Sequence, residues 1–352
     1  MTTDCIATVA YAAVSTRRRF LQTLAATSLT APLVPAALAQ AMQKVRVQLG
    51  WVPNVQYAGE WVALDRGIFN ANGLSVEWLP GGPNALAAPV VLAAGKADLG
   101  YSTWFPILDA VMKGNPLVIV AAVFPKNPMG IISLPKRPIL KPADLVGAKL
   151  LVQGQNERTA VNATLALAGL PSNWTPIPVG FSPEPLLAGD GDGYTAFSTN
   201  QTIVLERMGM KWGKDFHFVS FDQLGFQSLG AVLLTTRAYL DKQRPQVISY
   251  VRSLVTGWNE NEKAPEYAAR LAVEKYGADL GLDLKQQIRQ NEVQIPLARY
   301  DSGQLPRLTL DRKTIVGPLY AAARATGRNK LPDVDSFVDF TVAIDAHKGL
   351  RG

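Results

Sequence analysis

Residues able to do covalent or acid–base chemistry are few and scattered. The chain carries two histidines, His217 and His347, and one cysteine, Cys5. His217 falls in the alternating run DFHFVSF and reads as a strand position. His347 reads as a helix C-terminal residue, where histidine is common. Two distant histidines do not make a transition-metal site. No G-x-S-x-G, G-x-x-x-x-G-K or G-x-G-x-x-G segment occurs. Asp190-Gly191-Asp192-Gly193 has part of a calcium-loop pattern without the remaining ligands, and reads as a turn. No catalytic residue, metal site or cofactor is expected.

Residues suited to holding a flat molecule are better placed. Trp51, Asn54 and Tyr57 crowd into seven positions of GWVPNVQY, where a strand turns into a helix. Trp104 and Phe124 also fall at loop ends, and with Trp51 and Tyr57 could sandwich a ring. A good aromatic pair gives roughly 0.5–1.5 kcal/mol beyond area burial. Gly82, Ser102, Thr103, Glu157, Asn200 and Gln201 lie at turns or presumed helix starts, where side chains and free backbone N–H groups can reach a ligand. Ser102, Thr103 and Asn200 are equally suited to capping helices.

The elements that must position these residues alternate along the chain. VRVQL, LSVEWLP, ADLGYST and LVIVAAVF read as strands, with helices over 57–68, ALAAPVVLAAG and TWFPILDAVMKG between them. The Pro- and Lys-rich stretch 125–145 reads as a crossing region. AKLLVQG, TPIPVG, GYTAF and DFHFVSF then read as a second strand series, and LGAVLLTT as a strand returning to the first. The rest is mainly helical. This order predicts an α/β fold of two lobes, each a mostly parallel sheet flanked by helices, with lobe 1 at 40–135 plus 229–352 and lobe 2 at 136–228. Ligands of open α/β sheets bind at strand carboxyl ends, so the loops carrying the residues above should face a cleft between the lobes. Hinges are expected near 126–140 and 225–230.

The 352 residues are 48% hydrophobic and 18% charged, with 35 Lys+Arg against 28 Asp+Glu. That composition gives a globular core. No basic run follows position 19, so nucleic-acid binding is not expected. TRRRFLQ and the apolar stretch ending Ala37-Leu38-Ala39 read as a signal peptide, cleaved near Ala39. Arg17 and Arg18 followed by Phe20 and Leu21 resemble a twin-arginine export signal, although Gln22 replaces the usual Lys. A general secretory signal is the alternative. Removal of 39 residues takes three Arg, one Asp and Cys5, and lowers the net charge from +7 to +5. A free, monomeric periplasmic protein is expected, with the twin-arginine translocase a partner during export.

QLGWVPNVQYAGEWVALDRGIFNANGLSVEW, AAGKADLGYST and KPADLVGAKLLV together resemble the thiamine-pyrimidine-synthase-like solute-binding proteins of ABC importers. The resemblance runs from about Lys44 to about Lys263. It implies a periplasmic-binding-protein fold, a small-molecule ligand and a membrane permease as partner. Enzymes of pyrimidine synthesis in the same superfamily use an iron site and a cysteine-rich segment, neither of which has a counterpart here. Many relatives have Asn-Glu-Pro where this chain has Asn200-Gln201-Thr202. A neutral amide there favours a planar heterocycle with a carbonyl-bearing edge, flavin- or pyrimidinone-like, over an aminopyrimidine. A small anion such as nitrate or a sulfonate is the alternative.

Overall fold

The computed structural model describes residues 42–300 and 305–350. The export signal at Arg17 and Arg18 and the cleavage site near Ala39 lie outside the described residues.

Two five-stranded sheets are present. The first has the order β2-β1-β3-β10-β4, built from β1 (Gln43–Gln48), β2 (Leu74–Leu79), β3 (Leu99–Ser102), β4 (Leu117–Phe124) and β10 (Ala231–Thr236). β1 runs parallel to β2 and β3, with Val47 beside both Trp78 and Leu99. The returning strand β10 inserts antiparallel between β3 and β4. The second sheet repeats the arrangement as β7-β6-β8-β5-β9, from β5 (Met129–Ser133), β6 (Lys149–Val152), β7 (Thr175–Pro178), β8 (Gly193–Phe197) and β9 (His217–Ser220). Here the antiparallel strand is β5, the first to arrive. The sheets have a parallel part and one inserted reversed strand each.

β5 corrects the expected lobe boundary. Prolines on both sides made 125–145 read as a crossing, yet MGIIS is fully buried between β8 and β9. Gly130 is required there, because a Cβ would lie 2.2 Å from the Val219 carbonyl oxygen. The first crossing therefore shrinks to 125–128, and the second spans 221–230.

The apolar run of β4 is buried at all eight positions although β4 ends its sheet. The C-terminal tail explains this. The Ile119 and Ala122 N–H groups donate to the carbonyls of Phe337 (2.8 Å) and Leu308 (3.0 Å), and Ile119 C=O accepts from Asp339 N–H at 2.9 Å. The tail thus covers a sheet edge that would otherwise offer unpaired backbone. Apolar side chains fill both faces of each sheet. The long helix Arg237–Lys263 closes on the helix Ala58–Asp65 at Gly257 and Gly59. A Cβ on Gly257 would sit 2.0 Å from the Gly59 oxygen, so only glycine allows this approach.

Candidate functional site

The loops after β1 and β2 are fastened to each other. Gln48 is buried and donates its amide to the carbonyls of Leu49 (3.0 Å) and Pro80 (2.9 Å). A Cβ on Gly81 would meet the Leu49 oxygen at 2.4 Å and the Trp51 nitrogen at 2.6 Å, so glycine is needed for the loops to touch. Trp51 is then held at both ends of its backbone. Its N–H donates to the Tyr57 hydroxyl at 2.8 Å, and its carbonyl accepts from Gly81 N–H at 3.2 Å. The indole remains 37% exposed. A large ring on a fixed backbone is a preorganised contact surface, which lowers the ordering cost of binding.

Beside Trp51 lies a cavity of about 260 Å³ at the carboxyl ends of β1, β2 and β3. Trp51, Gln56, Gly82, Ser102 and Thr103 line it together with the apolar stretch 85–88, Pro106 and the returning Gly230 and Ala231. No charged side chain is among its lining residues. Thr103 begins the helix Trp104–Met112 without a capping side-chain bond, and no hydrogen bond from the Ser102 hydroxyl or the Gln56 amide occurs among the described residues. Neutral donors and acceptors beside an aromatic ring suit a small heterocycle. Pockets for drug-sized ligands run to about 300–1,000 Å³, so this one fits a single ring with small substituents.

The sequence-predicted residues divide sharply. Trp51, Gly82, Ser102 and Thr103 meet at this cavity. Asn54 does not: its side-chain oxygen accepts the Gln56 N–H at 2.8 Å and caps the turn Val55–Tyr57. Tyr57 is buried behind Trp51, and burial pushes its hydroxyl pKa up. Trp104 is buried between Tyr320 and Phe337 instead of facing the cavity, because the first residue of its helix points into the core. Phe124 is likewise buried, edge-on to Trp258. Gln56 was missed. Its signal is the spacing: a capping Asn two residues earlier puts Gln56 in the first turn, beside the aromatic.

In the second lobe Glu157, Asn200 and Gln201 stand at the carboxyl ends of β6 and β8. Gln201 cannot read a ligand as expected. It is 1% exposed, its oxygen accepts the Phe197 N–H at 2.9 Å and its amide reaches the Phe181 carbonyl at 3.4 Å. Asn200 is exposed and makes no capping bond. Glu157 sits in the first turn of the helix Gln155–Leu167, 9% exposed, with no ion pair or hydrogen bond among the described residues. Gly154 lies against it, a Cβ there falling 3.3 Å from the carboxylate. His217 is a half-buried strand residue of β9, and the His347 ring bonds the Arg307 carbonyl at 2.8 Å. Among the described residues no group of three or more His, Cys, Asp or Glu side chains could hold a metal ion. None of the described helices is long and apolar enough to cross a membrane.

Two sheets with one reversed strand each, exchanged through two crossings and offering a site at strand ends, define the periplasmic-binding-protein fold. The aliphatic sulphonate binding protein of Escherichia coli has this fold: it superimposes with a TM-score of 0.64 over 86% of this chain and 99% of that one, at 16% identity. Residues 54–268 match the family described as NMT1/THI5 like, and the chain belongs to it. A formylaminopyrimidine-binding protein of Halalkalibacterium halodurans is 24% identical over 277 residues, 76% of this chain and 81% of that protein. A putative thiamine biosynthesis protein of Haemophilus influenzae is 35% identical over 111 residues. That match spans 31% of this chain and only 35% of the relative.

Proposed function

We propose that this chain is an exported solute-binding protein that captures a small planar heterocycle between its lobes and delivers it to an ABC importer permease. The carrying observation is the charge-free cavity beside the fixed Trp51 ring. Trp51 supplies stacking, and Gln56, Ser102 and Thr103 supply neutral polar contacts. We assign Glu157, in the first turn of the helix after β6 in the second lobe, as a carboxylate acceptor that meets the ligand when the lobes close on it. Since Gln201 is spent on the backbone, the preference for a carbonyl-bearing edge loses its basis. A carboxylate accepts hydrogen bonds and donates none when ionised. It favours an amino-bearing edge, as in an aminopyrimidine, which agrees with the name of the Halalkalibacterium halodurans relative. A small anion is the second reading, favoured by the uncapped start of the helix Trp104–Met112.

Export rests on Arg17, Arg18 and the A-x-A site. One preparation tests location and ligand together. The protein is recovered from a periplasmic extract, its N-terminus sequenced, and its co-purifying small molecule identified by mass spectrometry. An amino-substituted heterocycle on a chain beginning near Gln40 is expected. Full-length protein confined to the cytoplasm sinks the export proposal, and a sulfonate or nitrate sinks the heterocycle. Glu157→Gln should weaken 4-aminopyrimidine binding about tenfold or more, the scale of losing a hydrogen bond to a charged group. Unchanged affinity removes Glu157 from the site.

A further inference from the structure

The helix Leu284–Gln294 buries the wrong kind of face. Gln287, Gln290, Asn291 and Gln294 recur at helical spacing on its inner side and are 4%, 8%, 0% and 1% exposed. An ordinary tail helix would bury apolar residues there. Burying four carboxamides is unfavourable unless each finds partners, so their partners show what the face does.

The partners converge on the ligand corner. Gln287 Oε1 accepts the Val55 N–H at 2.9 Å, and Gln294 Nε2 donates to the Val55 carbonyl at 2.7 Å. Both backbone groups of one residue are therefore taken by one helix. Val55 opens the turn that ends in Tyr57, whose hydroxyl holds the Trp51 N–H. Behind them, Gln294 donates to Asn291 at 2.9 Å, and Asn291 exchanges bonds with Asn261 at 2.7 and 3.0 Å. That fixes the helix against the end of Arg237–Lys263.

We infer that Gln287 and Gln294 are positioning residues for the ligand site: they set the turn Val55–Tyr57, and through Tyr57 the placement of the Trp51 ring. The tail helix is thereby part of the binding apparatus, although it lies over two hundred residues along the chain from the corner it holds. The inference rests on Trp51 being the ligand surface only for its effect on affinity, not for the geometry.

The test reads Trp51 directly. Acrylamide quenching is compared in ligand-free wild type, Gln287→Leu and Gln294→Leu, each measured with and without Trp51→Phe so that the Trp51 contribution is obtained by difference. Both Leu variants should make the Trp51 component more quenchable and shift it to the red. Gln287→Glu, which keeps an acceptor for the Val55 N–H, should restore the wild-type signal. Affinity for 4-aminopyrimidine should fall about tenfold in the Leu variants and recover in the Glu variant. A folded Leu variant of lowered thermal stability with unchanged Trp51 quenching overturns the inference and leaves the network purely structural. Changed quenching with unchanged affinity upholds the positioning and counts instead against Trp51 as the ligand surface.

Discussion

At the scale of residues, chemistry and burial pull the same side-chain types in different directions. Trp51 and Trp104 both stand at strand-to-helix corners, and the sequence gives them equal claims. Trp51 lies in a loop whose backbone is fastened at both ends, which leaves its ring outside. Trp104 begins a helix, and the helix phase turns it into the core. The two should therefore respond differently to truncation. Trp51→Ala should cost about 1–3 kcal/mol in binding, typical of an aromatic anchor, with little change in the thermal midpoint. Trp104→Ala should cost about 3–5 kcal/mol of stability, as for large-to-small changes in a core. Calorimetry and a 4-aminopyrimidine titration separate the two, and reversal of the pattern would exchange their roles. The donors were legible as types but not as free groups. Asn54 and Gln201 are amides at turns, and only the folded backbone shows that Gln56 N–H and Phe197 N–H consume them.

At the scale of elements, strand order was largely readable because alternating and unbroken apolar runs mark strands whatever surrounds them. β5 was not, since prolines on both sides suppress a five-residue signal. Helical periodicity in the tail carries no sign of its task, which is to seal β4. Asp339 anchors that seal. Burial alone would raise its pKa, but hydrogen bonds from Arg244 (2.7 Å), from the Thr341 backbone and hydroxyl (both 2.9 Å) and from Val342 N–H (3.0 Å) outweigh it and hold the carboxyl at about 2. The unfolded chain binds that proton more readily, near the ordinary value of 3.8. The stability Asp339 contributes is thus present above the ordinary value and lost as pH falls from there towards about 2. Denaturant midpoints measured across this range should fall in wild type. Asp339→Asn should start lower at neutral pH and show a flatter acid limb, whereas parallel curves would mean the carboxyl is not held ionised.

At the scale of the whole molecule, the two crossings are not the only links between the lobes, and the other links differ in kind. On one side the helix Tyr320–Ala325 packs on the helix Gln155–Leu167, and Ala322 is buried within the second lobe's core. Phe105 stacks on Phe226 at 5.7 Å beside it. On another side the helix Leu284–Gln294 meets the helix Gln201–Arg207 through exposed ion pairs. Arg289 grips Glu206 at 2.9 and 3.1 Å, and Arg207 pairs with Asp283 at 3.1 Å. Breaking the packed contact would expose apolar surface, whereas exposed ion pairs are worth only about 0–1 kcal/mol each and are screened by salt. We therefore expect the packed contact to persist as the lobes move and the ionic one to exchange, so that ionic strength biases the lobe arrangement. The only cysteine is Cys5, which allows a dye pair to be placed at two engineered cysteines, one per lobe, on a chain starting at Gln40. Raising salt from about 20 mM to about 500 mM shortens the screening length from roughly 20 Å to roughly 4 Å and should shift the inter-lobe distance distribution of ligand-free wild type. Glu206→Gln combined with Arg207→Gln should show the high-salt distribution already at low salt and respond no further. Identical distributions for the two proteins at low salt would mean that the ion pairs ride with the lobes and bias nothing.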